Sequence, residues 1–139
     1  MAEGIKIEVV SPENLVLSDD VASVTVPGAD GYFTVMGDHA AMMTTLKAGF
    51  VTVKSDNGEA RSFYVRGGFA DVSNAGLTIL AEEAKTGADF DRSEVDAAIV
   101  AAQEALSKAG DDHAKQEAQN TLDGWKNLLL ELDAGGVVH

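Results

Sequence analysis

Cysteine is absent from the 139-residue chain, which excludes disulfides and thiolate metal sites and suits a reducing compartment. Bases are scarce. Ten Lys and Arg stand against 23 Asp and Glu, a net charge of −13. Nucleic acid is a poor partner for such a surface, because its binding relies on neutralising phosphates. Anionic lipid headgroups repel it for the same reason, so a partner is expected to be a protein of basic or mixed character. No apolar run approaches the ~20 residues that span a bilayer. The opening Met1-Ala2-Glu3-Gly4 lacks the basic and apolar regions of a secretory signal. The sequence therefore predicts a soluble chain with no direct membrane insertion.

Against these absences, hydrophobic residues make up 45% of the chain and mean hydropathy is −0.01. A real core can form in one domain, or in one domain with an appendage. Residues 1–85 read as strands. Ile5, Ile7 and Val9 alternate with Lys6 and Glu8, Val24 and Val26 with Ser23 and Thr25, and Val51 and Val53 with Thr52 and Lys54. Asp56-Asn57-Gly58 predicts a tight type I′ turn into Arg61–Val65, with both central residues at positive φ. Asn74-Ala75-Gly76 turns the chain again into Leu77–Leu80. Short strands with frequent turns favour an antiparallel sandwich or barrel.

Past Thr86 there is no proline and alanine becomes frequent. Val95, Ala98, Ile99, Ala102, Ala105, Leu106 and Ala109 fall at helical spacing. Gly110 is expected to end that helix in the left-handed conformation, with Asp111 or Asp112 capping the next. Ala114, Ala118, Leu122, Trp125, Leu128, Leu129 and Leu132 form a second stripe, which Gly135-Gly136 is expected to stop. Residues 86–139 thus read as an antiparallel helical hairpin, whose stripes must rest on each other, on the β domain or on another protein. The hairpin has eleven acids and four bases, a net −7.

Motifs for catalysis are missing. His39 beside Asp38 is the one catalytic-looking pair, and a histidine at a turn or interface explains it better, since no nucleophile-elbow pattern accompanies it. His113 and His139 fall in a helix start and a tail, which disfavours a three-histidine metal site. The hairpin carboxylates read as solvated helix faces rather than a metal cluster. Gly67-Gly68 lacks the Lys-Ser/Thr ending of a P-loop and the spacing of a dinucleotide fold, and reads as close backbone packing or a bulge. Trp125 reads as core. No catalytic residue, metal or cofactor is expected.

The order Val24–Gly31 (VTVPGADG), Gly37–Ala40 (GDHA), Thr44–Gly49 (TTLKAG), Val65–Val72 (VRGGFADV) and Leu77–Ala84 (LTILAEEA), followed by an Ala-rich hairpin, closely resembles the epsilon subunit of F-type ATP synthases, the counterpart of mitochondrial delta. The resemblance runs from Val10-Ser11-Pro12-Glu13 to the second helix. It implies a ten-stranded antiparallel β-sandwich over residues 1–85 and a two-helix domain over 86–139. It also implies a non-catalytic place in the central rotor stalk, at the cytoplasmic face of the bacterial inner membrane. There the sandwich grips the gamma subunit and the c-ring, and an extended hairpin would touch the alpha and beta subunits transiently.

By the same resemblance, Gly28, Asp30, Gly31, Tyr32 and Phe33 belong to the c-ring-facing loop, in which the family often has an acid at the position of Tyr32. His39, Ala40, Met42 and Met43 match the segment that packs near gamma, and the family often has Pro where this chain has Ala41 and Ala48. Relatives that bind ATP carry an Ile/Leu-Asp-x-x-Arg-Ala motif. Here the stretch is Phe90-Asp91-Arg92-Ser93-Glu94-Val95, with Glu94 in the arginine position, so no nucleotide site is expected. Basic helices act in inhibitory relatives, so a hairpin of charge −7 is expected to inhibit hydrolysis weakly and mainly to brace the stalk. Two other readings are a free-standing adaptor that binds peptides at a sheet edge or on the helical stripe, and an enzyme using His39 with an aspartate.

Overall fold

The computed structural model describes residues 4–13, 15–37 and 40–138. Eight strands come first: β1 (Ile5–Val10), β2 (Leu15–Val21), β3 (Ser23–Gly28), β4 (Gly31–Met36), β5 (Met42–Thr45), β6 (Gly49–Lys54), β7 (Ala60–Ser73) and β8 (Gly76–Lys85). A 3-10 turn, Gly87–Asp89, leads to helices α1 (Arg92–Lys108) and α2 (Asp112–Val138).

The strands run in the order β2-β1-β8-β7-β6-β3-β4, with β5 added on β7. The alternation read in the sequence sets which face is buried. Ile5, Ile7 and Val9 of β1, Val24 and Val26 of β3, and Val51 and Val53 of β6 all enter one core with Val65, Val72, Leu77 and Ile79. Strands β1 and β3 are remote in the sheet order yet share that core, so the sheet folds over on itself as a sandwich.

The expected ten antiparallel strands are corrected to eight in a mixed sheet, because β1 pairs with β8 in parallel, Ile7 opposite Leu77 through Val10 opposite Leu80. The long strands β7 and β8 explain the difference. The first half of β7 pairs with β6, whereas Phe69–Val72 pair with β5. Residues Leu77–Leu80 of β8 pair with β1, and Glu83–Lys85 pair with the first half of β7. Each long strand therefore serves both layers and replaces two short ones. The bend in β7 falls at Gly67-Gly68. A Cβ on Gly68, whose φ is +118°, would run into the Leu80 carbonyl, which is the close backbone approach read from the sequence.

Three local expectations also change. The β6–β7 connection is a loop over residues 55–59, in which the Ser55 amide donates to the Glu59 carbonyl at 2.8 Å. Only Gly58 takes positive φ there, +89°, so the turn is not type I′. Asn57 keeps negative φ and instead accepts the Glu59 amide through its side chain at 3.0 Å. Gly110 does not take a left-handed conformation, because the chain already leaves α1 through the extended Ala109. Asp111 then caps α2, accepting from the Ala114 amide at 2.7 Å. Finally, α2 runs through Gly135-Gly136 to Val138, since glycine lowers helix stability by only about 1 kcal/mol and does not remove a donor.

Helix α2 packs on β4, β6 and β7, and α1 packs on α2. Phe50 is 1% exposed because α2 covers it. Gly124 lies over its ring, where a Cβ would overlap the ring atoms. Trp125 meets Phe50 edge-on at 4.9 Å and stacks on Tyr64 at 5.7 Å, with Phe90 closing the cluster at 5.3 Å from Trp125. Trp125 is half-buried and packs inward between α2 and the sheet. The hydroxyl of the buried Ser62 accepts from the Asn127 side chain at 3.0 Å and pairs with Thr52 at 2.8 Å. Val95 and Ala102 of α1 and Leu122 and Leu128 of α2 are buried.

Candidate docking site

Two surfaces of the sandwich carry the residues singled out from the sequence. The first is the β3–β4 hairpin. Gly28 pairs with Gly31, leaving Ala29-Asp30 as the two-residue turn. Asp30 is exposed, Gly28 and Gly31 are buried, and Tyr32 and Phe33 are half-buried. Tyr32 points under the hairpin rather than away from the molecule. Its hydroxyl accepts the Phe50 amide at 3.0 Å and bonds with Thr121 of α2. Its own amide donates to Glu117 Oε2 at 2.7 Å. Burial raises the Tyr32 phenol above its ordinary value.

Glu117 lies at the centre of this contact. Besides Tyr32 it holds Lys47, whose Nζ donates to Oε1. Partial burial works to raise the Glu117 carboxyl, but the bonds from Lys47 and the Tyr32 amide outweigh it and leave the group below its ordinary value. Neither Lys47 nor Glu117 was singled out from the sequence. An acid on a polar helix face gives no sign there of its partner.

The second surface lies around β5. Met42 faces Val72 across the ladder and Met43 faces Asp71, so the two methionines point to opposite sides. Ala40 and Met42 line an apolar hollow with Phe33, Val35 and Met36, which brings Phe33 of the turn segment together with two residues of the β5 segment. His39 and Asp38 lie outside the described residues. On the outward side, Met43 is 66% exposed, Phe69 48% and Leu80 49%. Phe69 lies opposite Thr45 and Leu80, and Leu80 lies opposite Val10, so Phe69, Leu80 and Val10 form an apolar row across β7, β8 and β1, with Met43 on the same side of β5 opposite Asp71. Phe69 and Leu80 were missed from the sequence. Their signal was phase: Leu77 and Ile79 point inward, so Leu80 is an apolar residue at an outward position.

The family model for the ATP synthase Delta/Epsilon chain beta-sandwich domain matches residues 4–87. The ATP synthase epsilon chain of Mesorhizobium japonicum is 48% identical over 122 residues, covering 88% of this chain and 90% of the relative. The chain belongs to the ATP synthase epsilon-chain family. The epsilon chain of Parvibaculum lavamentivorans is 39% identical over 128 residues, covering 92% of this chain and 97% of its own. The same fold occurs in a chain of the Euglena gracilis mitochondrial ATP synthase, solved with the c-ring, at a TM-score of 0.61 and 22% identity over 93% of this chain and 81% of that one.

Within this epsilon-family chain, the stretch Phe90–Val95 is occupied by its own contacts. The Asp91 amide donates to Glu94 Oε1 at 2.9 Å, the reach-back of a capping box. Arg92 pairs with Asp133 of α2. Glu94 thus serves the start of α1, and the neighbouring cation already has a carboxylate. Among the described residues, no helix is long and apolar enough to cross a membrane.

Proposed function

We propose that this chain is the non-catalytic rotor-stalk subunit that links the gamma subunit to the c-ring and helps couple proton translocation to ATP synthesis. It does so peripherally, at the cytoplasmic face of the bacterial inner membrane. Two domains divide the work: residues 1–85 grip the partners and residues 86–139 brace them. The observation that carries the reading is the apolar face of Met43, Phe69 and Leu80, exposed on a molecule of net charge −13. A chain so acidic has ample polar residues to cover its sheet, and large apolar side chains left exposed on one face mark a surface that a partner covers. By the family resemblance, His39, Ala40, Met42 and Met43 belong to the gamma-facing segment, which presents Met43 on this face and Met42 on the other side of β5. Methionine suits it, being unbranched and adaptable. The turn carrying Gly28, Asp30, Gly31, Tyr32 and Phe33 faces the c-ring, with Asp30 as its exposed charge.

The test is capture of this chain by gamma subunit and c-ring, comparing the native protein with Phe69→Asp. Phe69 is half-exposed, so the variant folds, and a charge in the centre of the face weakens capture by about 10- to 100-fold, as at other interface anchors. Unchanged capture would remove this face from the interface. No capture of the native chain would remove the stalk reading itself.

A further inference from the structure

Among the described residues strand β4 ends the sheet order, so one row of its backbone groups faces no further strand. Gly28 and Gly31 close the β3–β4 turn, and Pro27 and Tyr32 are the next register pair. At that pair the Pro27 carbonyl accepts the Lys47 amide at 3.0 Å, and the Tyr32 amide donates to Glu117. Lys47 also pairs through its side chain with the same carboxylate. The contacts therefore form a closed circuit, Pro27 to Lys47 to Glu117 to Tyr32, around the base of the turn. Only Glu117 in this circuit comes from the helical hairpin, 85 positions along the chain from Tyr32. Gly31 is covered by the same helix, with a Cβ there lying 2.9 Å from His113 Cε1 and 3.1 Å from Glu117 Oε2.

We propose that Glu117 is a positioning residue: by satisfying the edge amide of Tyr32 and tethering Lys47, it makes the conformation of the β3–β4 turn depend on whether the hairpin is docked. By linkage the dependence runs both ways. A partner that holds the turn in its docked geometry favours the docked hairpin, and detachment of α2 frees the base of the turn. That the partner is the c-ring rests on the function proposed above, while the link between turn and hairpin is a property of the free chain. The other end of α2 supplies a built-in comparison. There Glu131 accepts the Gly87 amide at 2.8 Å, far from the turn in sequence and on the opposite end of the helix.

The experiment measures amide hydrogen exchange of Tyr32 by NMR in the full chain, with Glu117→Ala, Glu117→Gln and Glu131→Ala. Emission of Trp125, the chain's single tryptophan, monitors hairpin docking in the same samples. Tyr32 exchange is expected to rise about 10- to 100-fold in Glu117→Ala, the range that loss of a hydrogen bond to a charged group supports. Glu117→Gln keeps an acceptor and restores part of the protection. Glu131→Ala leaves Tyr32 exchange near native. Unchanged exchange in Glu117→Ala, or an equal rise in Glu131→Ala, would overturn the proposal, the latter because any loosening of the hairpin would then suffice. Binding to c-ring is measured alongside. If the native chain binds and Glu117→Ala binds equally despite faster Tyr32 exchange, the linkage to partner docking fails. If the native chain does not bind, the stalk reading fails and the exchange result still decides the link.

Discussion

Glu117 and Tyr32 respond to pH in opposite senses, and both responses bear on hairpin docking. The Glu117 carboxyl lies below its ordinary value when the hairpin is docked. Its contribution is therefore fully present above the undocked value of about 4.3 and is lost as pH falls through the lower docked value. The Tyr32 phenol lies above its ordinary value. It therefore contributes below about pH 10, and that contribution is lost as pH rises through the docked value. Lys47 and His113 are the other charged or titratable groups that act on Glu117. Comparing acid titrations of Trp125 emission in native protein and Glu117→Gln isolates the carboxylate from the other acids. The native chain is expected to dock more firmly at neutral pH, and the difference should shrink as pH falls below the ordinary carboxylate range and vanish once it passes the lower docked value. A difference independent of pH would mean that Glu117 contributes by shape rather than charge.

At the scale of elements, the ATP-site stretch shows how one substitution redirects a segment. Glu94 closes the start of α1 by accepting the Asp91 amide, and a carboxylate there repels phosphate. Arg92 is turned toward Asp133 on α2. Calorimetry is expected to detect no saturable ATP binding at micromolar concentration. The same scale shows what the sequence made legible. Strands β1, β3 and β6 send one alternating set of residues into the sandwich core, so that alternation marked both element and core, whereas the burial of Phe50 on the other face of β6 under α2 was not legible. The partner change along β7 and β8 was not legible, because alternation reports which face is buried and not which strand lies alongside. The hairpin stripes were legible for the same reason as the strands. The docking of Glu117 was not, since its sequence context matches that of the other ten hairpin acids. Only the tertiary fold brings it to the free edge of β4.

For the whole molecule, charge decides how the hairpin is used. The net charge of −13 divides into −6 on residues 1–85 and −7 on the much shorter 86–139. Repulsion between two acidic domains favours separation, yet α2 lies against β4, β6 and β7. The contacts that oppose repulsion are mostly uncharged: Phe50 under Gly124 and Trp125, Tyr64 and Phe90 around them, and Ser62 with Asn127. Salt should therefore strengthen docking by screening the repulsion, while exposed pairs such as Arg92–Asp133 contribute little. A hairpin held by aromatic packing and carrying −7 lacks the basic helices that act in inhibitory relatives, and is therefore expected to be a poor brake. ATP hydrolysis by enzyme depleted of this subunit is thus expected to change little, or equally, on adding the full chain or residues 1–85. Strong inhibition by the full chain alone would show that the hairpin leaves the sandwich and finds basic or apolar contacts on the catalytic head that outweigh its charge.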